Sequence, residues 1–511
     1  MAVVLQLGIP ALLMLVLAGG ATASAQVVTN SADSGPGTLR SAITNAASGA
    51  VITFDPSLSG ATITLANTLT VNTNLTIDAS ALPGGLQING NGAVTVFNVA
   101  STAIVVMNSL TITNGYTATN SATIYVGGGG IDNYGTLTLT NCTLSGNSAF
   151  YAGGGIFNNG TLTLNQCTLS GNSASGGGGI FNLYLLTLNQ CTLSGNSAAG
   201  YGGGINNHKY EGTATTLNQC TLSGNSASSG GGIYNYFEGI LTLNQCTLSG
   251  NSATDILSGC GGGIYNLLEG TLTLNQCTLT GNSAYYDGGG IFNRRDGTLA
   301  LNQCTLSGNN YGGISYYQAG TLAMTNTIVA GNSGVDIDGD FTAITYGGSN
   351  LVQSVYTYNI YTPPTPLTNA PDLAPLGNYG GPTQTMPPLP GSPAIGAGSV
   401  AANTFTTDQR GYSRTQNGLI DLGAVELQSP AANPPVLENI TVPAGGGNGL
   451  QFTFTNAPAA DFTVLTATNV SLALTNWTVL GEVQQVAPGQ YQFTDPQAAT
   501  NTGRFYRVRS P

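Results

Sequence analysis

T-L-T-L-N-Q-C-T-L-S-G-N-S-A, residues Thr161–Ala174, is the stretch that decides the fold. Leu162 and Leu164 alternate with Thr161 and Thr163, and Cys167 and Leu169 then flank Thr168. This is an apolar-in, polar-out pattern at period two with β-branched residues on the outer face, the signature of short half-buried strands. Near copies run over Thr136–Ala149, Leu185–Ala198, Ala214–Ala227, Ile240–Ala253 and Thr271–Ala284; a seventh begins at Thr298 and decays after Asn309. Between copies stands a glycine block, G-G-G-I-x-N, as at Gly153–Asn158, Gly177–Asn182, Gly230–Asn235, Gly261–Asn266 and Gly288–Asn293. The repeat cysteines are 24 to 31 residues apart. A period in this range marks a stacked architecture whose units cannot bury their apolar faces alone.

Three short strands per unit, each ended by Asn, predict one coil of a right-handed, three-sided parallel β-helix. The asparagines fall into three columns, led by Asn158, Asn165 and Asn172. Asn tolerates the left-handed conformation that a corner needs, and stacked amides can bond from coil to coil. Helical solenoids are excluded, because Gly and Asn are poor helix formers and nothing here repeats at 3.6.

Only 6% of the 511 residues are charged, with a net charge of −12. No basic stripe exists, so nucleic acid is excluded as a partner. Val3–Ala18 is apolar and precedes the small-residue site Ala23-Ser24-Ala25, which reads as a signal peptide over residues 1–25, although no Lys or Arg comes before Arg40. After its removal no transmembrane span is expected. Seven of the eight cysteines occupy one inward column where neighbouring Cβ vectors run parallel, a poor disulfide geometry, so they are expected to be buried and reduced. Cys260 lies in a longer loop, Thr254–Cys260, and is the candidate for a reactive or paired thiol.

Residues 26–120 read as degenerate coils behind an N-terminal cap, with one short amphipathic helix in Thr38–Ala47. Residues 121–333 carry the regular repeats. Residues 334–428 form the C-terminal end, and the rod over Gln26–Leu427 is expected to be roughly 75 Å long at about 4.8 Å per coil. Residues 429–436 (S-P-A-A-N-P-P in Ser429–Pro435) are a linker. Residues 437–511 alternate clearly enough for a small antiparallel β-sandwich-like module.

On these residues, Gln26–Leu427 resembles the right-handed β-helix proteins of the pectate-lyase-like superfamily. Its G-G-G-I tetrapeptides resemble the repeats of bacterial polymorphic outer-membrane proteins, although the aromatic-x-x-Asn signature is not matched cleanly, as Phe157-Asn158 and Phe181-Asn182 illustrate. Asn369–Glu426 resembles the choice-of-anchor Q region of secreted bacterial proteins, through Pro375–Thr385 (P-L-G-N-Y-G-G-P-T-Q-T), Pro390–Gly398 (P-G-S-P-A-I-G-A-G), Asp408–Gly411 and Asp421–Glu426. The resemblance implies a bacterial protein that is secreted or held at the outer surface. Within it, Asp408, Arg410, Arg414, Asp421 and Glu426 are expected to pair and seal the end of the β-helix.

Most ionisable residues of the repeats fall in one loop, between the glycine block and the T-L-T-L strand. Tyr210-Glu211, Tyr236-Phe237-Glu238, Glu269 and Arg294-Arg295-Asp296 should form a column of carboxylates one coil apart, flanked by aromatics and arginines. Oxygen ligands at that spacing suit Ca²⁺, although no cofactor is required. An acid before Gly is also ordinary turn chemistry. The column therefore supports a polysaccharide- or cell-surface glycan-binding face on a structural or adhesive protein without catalysis. The alternatives are a polysaccharide lyase or glycoside hydrolase on the same lateral face and, less, an ice- or crystal-binding face of T-x-T pairs. Asp336–Asp340 (D-I-D-G-D) reads as a turn. The single His208 excludes multi-histidine metal sites within the chain.

Overall fold

The structure, a computed structural model, describes residues 26–118, 127–208, 214–340, 342–357, 366–428, 437–441, 449–456, 462–470, 472, 477–487, 490–495, 498 and 504–509. The signal peptide, the linker at 429–436, and Tyr210 and Glu211 lie outside the described residues. The chain is an all-β parallel solenoid followed by a small antiparallel module.

Each coil contributes one strand to each of three long sheets. The T-L-T-L strands form a sheet of 13, and the C-T-L-S strands and glycine-block strands form sheets of 12 each. A fourth, seven-stranded sheet is made by the short Ser-Ala segments, such as Ser148–Ala149 and Ser226–Ser229, which the sequence pattern did not separate from the corners. Register is strict: Leu162 pairs with Leu186, Leu169 with Leu193 and Ile180 with Ile205. Leu162, Leu164, Cys167 and Leu169 all point into the core, each at most 1% exposed. A one-residue slip would turn every one of these side chains outward, which is why period two specifies the register so firmly.

The corners differ from expectation. In six successive coils the left-handed residue after the T-L-T-L strand is not one of the column asparagines but the following Gln: Gln166, Gln190, Gln219, Gln245, Gln276 and Gln303 all have φ between 52° and 54°, and Asn141 and Asn326 hold the same position in the coils at either end. The asparagines instead form buried amide ladders. Asn158 donates to Asn182, Asn182 to Asn207 and Asn207 to Asn235, at 2.7–2.9 Å. Asn172 donates to Asn196 and Asn196 to Asn225, both at 2.9 Å. The half-buried third ladder runs the other way, with Asn189 donating back to Asn165 and Asn218 to Asn189. A buried amide without partners would cost about 1–3 kcal/mol, so stacking identical coils satisfies each group with its own copy. At the glycine-block corner the chains approach too closely for any side chain: a Cβ on Gly178 would meet the Gly203 carbonyl oxygen at 2.6 Å.

The N-terminal opening of the core is closed by the helix Leu39–Asn45, N-capped by Thr38, with Leu39, Ala42 and Ile43 buried. Among the described residues the last parallel strand is Val355–Thr357, followed by a single parallel bridge from Leu351 to Leu367, earlier than the sequence suggested. Thirteen strands at about 4.8 Å give roughly 60 Å rather than 75 Å. Residues 366–428 contain almost no regular structure and fold back along the side of the rod. They cover the outer face of the C-T-L-S sheet from Thr247 onward: Gln409 donates to the Cys246 carbonyl and to Thr247, Thr278 donates to Gln409, and the Ala424 N–H reaches Thr305. Leu373, Ala394 and Leu422 pack on Ile328 and Leu351 at the last coils. The charged cluster does pair within this segment, Arg410 with Asp408 at 2.9 Å and Arg414 with Glu426 at 3.8 Å. It braces a lateral strap as well as the rod's end, which corrects the expectation of a simple plug. Ile337–Gly339 is a strand, not a turn, and Asp336 accepts from Asn332 and Ser354.

The C-terminal module has two antiparallel sheets of four and three strands, with Phe452, Phe454, Phe462, Val464 and Tyr491 as its core. No helix among the described residues is long and apolar enough to cross a membrane.

Candidate functional site

In four successive coils the loop joining the glycine block to the T-L-T-L strand is a turn with two adjacent left-handed residues. The pairs are Phe237-Glu238 (φ 52° and 53°), Leu268-Glu269 (58° and 57°), Arg295-Asp296 (57° and 57°) and the uncharged Gln318-Ala319 (64° and 64°). Such a conformation costs a non-glycine residue on the order of 1 kcal/mol or more. The ladder asparagine underneath holds it: Asn235, Asn266 and Asn293 donate to the carbonyls of Gly239, Gly270 and Gly297. Successive turns then stack, Glu238 N–H on the Leu268 carbonyl and Glu269 N–H on the Arg295 carbonyl. Glu238, Glu269 and Asp296 are thereby brought one above the other, all exposed. Asp tolerates the left-handed region better than most residues, but Glu has no such preference. Turn chemistry therefore accounts for Asp296 and not for Glu238 or Glu269.

The two arginines are engaged differently. Arg294 lies over the Tyr317 ring, 5.2 Å from its centroid. Arg295 reaches out to Gln318 at 3.2 Å and stays exposed.

This column is one edge of a wider aromatic strip. The variable residue of G-G-G-I-x-N faces outward, so Phe157, Phe181, Tyr234, Tyr265 and Phe292 line the outer face of the glycine-block sheet. Ring contacts run through Tyr134, Phe157, Phe181, His208, Tyr236, Tyr234, Tyr265 and Phe292 with centroid separations of 4.8–6.1 Å. Tyr201 stacks on Tyr234 at 4.6 Å. Exposed rings flank this floor on both sides: Tyr151, Tyr201, Tyr285, Tyr286 and Tyr311 before the glycine block, Tyr184, Phe237 and Tyr317 after it. Sequence reasoning named Tyr210, which lies outside the described residues, Tyr236 and Phe237, and did not single out the other rings. The signal was the aromatic preference at the x position together with aromatics in the preceding loop. Asp132 occupies the same outward column as Phe157; burial pushes its carboxyl up to about 7 even though the Gly128 N–H donates to it.

The repeats at residues 219–236, 245–267 and 276–294 match one known repeat family. It is described as the Chlamydia polymorphic membrane protein (Chlamydia_PMP) repeat. The match takes in both the C-T-L-S strand and the glycine block, so the chain is a β-helix protein with repeats of this type. No curated protein and no solved structure matches the chain.

The remaining cysteine expectation needs correction. All eight thiols are free and buried. Cys260 is only 6% exposed, packs with Tyr234, Tyr265 and Phe292, and is pushed up to about 12 by burial and by Asp287, which leaves it protonated and unreactive. Among the described residues no group of three His, Cys, Asp or Glu side chains is placed to hold a metal ion.

Proposed function

We propose that this chain is a bacterial surface or secreted rod with a structural or adhesive role, and that its aromatic strip is the face that meets a neutral glycan. The observation that carries this reading is the set of exposed rings, among them Tyr201, Phe237, Tyr286 and Tyr317, flanking a buried aromatic floor with few charges: tyrosine and phenylalanine faces stack on the apolar faces of pyranoses, while neighbouring amides and hydroxyls serve sugar hydroxyls. The polymorphic-membrane-protein repeats support the surface location. Residues 366–428 fit a choice-of-anchor-like role, a brace between the rod and whatever retains it, and the rod fits the pectate-lyase-like superfamily in architecture. Glu238, Glu269 and Asp296 are solvated specificity contacts in this reading, and no Ca²⁺ is required.

The test is a glycan array with the native chain and with Tyr236→Ala/Phe237→Ala/Tyr317→Ala, alongside reducing-sugar and unsaturated-product assays with and without EDTA. Binding lost in the triple variant at an unchanged melting temperature, without product, supports the proposal. Cleavage of a polysaccharide abolished by Glu238→Gln would replace it with the lyase or hydrolase reading.

A further inference from the structure

The strap formed by residues 366–428 occupies only half of a periodic surface. Along the corner between the T-L-T-L and C-T-L-S strands runs a ladder of glutamines: Gln166 donates to Gln190, Gln190 to Gln219, Gln219 to Gln245 and Gln245 to Gln276. Each side-chain amide has two N–H donors and spends one on the next coil. On the covered coils the second goes to the strap. Gln245 donates to the Asp408 carbonyl at 2.9 Å, Gln276 to the Thr407 carbonyl, and Gln303 to the Asn403 side chain at 2.6 Å. Thr247 donates to the Gln384 carbonyl one residue beyond the cysteine. Burial follows the contact, with Gln276 2% and Gln303 1% exposed while Gln166 and Gln190 remain exposed.

The strap stops at a tight turn, where the Asp408 N–H bonds the Tyr412 carbonyl and the Gly411 N–H bonds the Asp408 carbonyl. Beyond it the same Gln-Cys-Thr triplets continue, Gln166 to Thr168, Gln190 to Thr192 and Gln219 to Thr221, with identical backbone register. We propose that these open coils are a docking surface for an uncharged polypeptide segment of a partner protein, held through its backbone carbonyls as Thr407 and Asp408 are held on the covered coils. The occupant is peptide because the identical groups already hold peptide. It is uncharged because the open triplets carry no ionisable side chain other than the buried thiols, so a charged group facing them would lose water without gaining a counter-ion. The strap obeys the same rule: the Asp408 carboxylate turns to Arg410, and only its carbonyl faces the rod. This face is separate from the aromatic strip, so the inference stands or falls independently of the glycan reading.

The test uses as probe a fluorescent synthetic peptide with the sequence of residues 400–412 made uncharged by Asp408→Asn and Arg410→Gln, and the full chain as receptor, read by anisotropy. Saturable binding is expected, weakened at least tenfold in Gln166→Leu/Gln190→Leu/Gln219→Leu and unchanged in Tyr236→Ala. Should the triple variant fold poorly, Gln190→Asn alone keeps a residue suited to the left-handed position and shortens the reach of the amide; it is expected to weaken binding with no loss of melting temperature. No saturable binding, or binding unaffected by these variants, overturns the proposal. So does a soluble polysaccharide that binds the native chain and not the triple variant while the peptide fails to bind.

Discussion

The side-chain amide of Asn172 donates to the side-chain oxygen of Asn196 in the next coil at 2.9 Å, and the same oxygen accepts the backbone N–H of Asn172 at 3.1 Å. Asn196 in turn donates to the Leu169 carbonyl of the coil before it and to Asn225 of the coil after it. One side chain therefore ties three coils together.

Replacing Asn196 with Leu should be among the most damaging single changes in the repeats. It removes two donors and an acceptor from a fully buried site and leaves the Asn172 amide and the Leu169 carbonyl without their partner, a loss of about 3 kcal/mol or more. Chemical denaturation of Asn196→Leu beside Thr187→Val, an outward change on the same coil, measures the difference. Equal stabilities would show that the ladder contributes little.

The core thiols should resist alkylation until the chain unfolds. Cys167, Cys191 and Cys220 are at most 1% exposed and hydrogen-bonded along the column, and burial pushes Cys220 up. Iodoacetamide is expected to label none of the eight in native buffer and all of them in denaturant, with no adjacent-coil cross-link in mass spectra of the unreduced protein.

Stability should fall as pH rises from about 5 to 8. Burial, reinforced by the Asp421 carboxyl, holds Glu426 up at about 8; Arg414 at 3.8 Å pulls the other way and loses. Burial likewise holds Asp132 up at about 7. An acid raised on folding keeps its proton in the folded chain where the unfolded chain has lost it, so the stability it contributes is full below its ordinary value and disappears as pH rises through the raised one. The slope is at most about 1.4 kcal/mol per pH unit for each such proton. Thermal melts of Glu426→Gln and Asp132→Asn should flatten this decline and raise the melting temperature at pH 8.

Gln409 should control the strap and not the rod. Its amide donates to the Cys246 carbonyl, Thr247 and Thr383, and its oxygen accepts from Thr278. Gln409→Leu is expected to raise hydrogen exchange in residues 380–428 at least tenfold while the T-L-T-L strands stay protected. Uniform loosening of both would mean that the strap and the coils unfold as one unit.

The inward register was legible in Leu162, Leu164 and Leu169 because period two leaves one face for the core and a slip would invert it. The helix cap was legible for a related reason, since an open solenoid end needs an apolar cover and Leu39 and Ile43 offered one. The left-handed glutamines were not: Asn is the commoner residue in that conformation, and only the stacked coils reveal that the Asn amide is needed inside. The strap on Gln245 was hidden because its contacts join groups 163 residues apart through backbone carbonyls, which leave no mark in side-chain pattern. The carboxylate column could be read from Glu238 and Glu269, but the aromatic floor beside it rests on one variable position per coil, where Phe181, Asn206 and Tyr234 stand in turn.

Because each coil hydrogen-bonds mainly to copies of itself, the length of this rod is a count and not a design. A duplicated unit of 24 to 31 residues brings its own rungs, its own Gln-Cys-Thr triplet and about 4.8 Å of added reach. The strap makes that freedom one-sided. It grips the coils from Gln245 to Asn326 through contacts particular to each, so a unit inserted there would shear it, whereas one inserted between Asn141 and Gln219 would pass unnoticed. Lineages carrying this chain should therefore differ in reach through their N-terminal coils and keep the C-terminal ones constant in number.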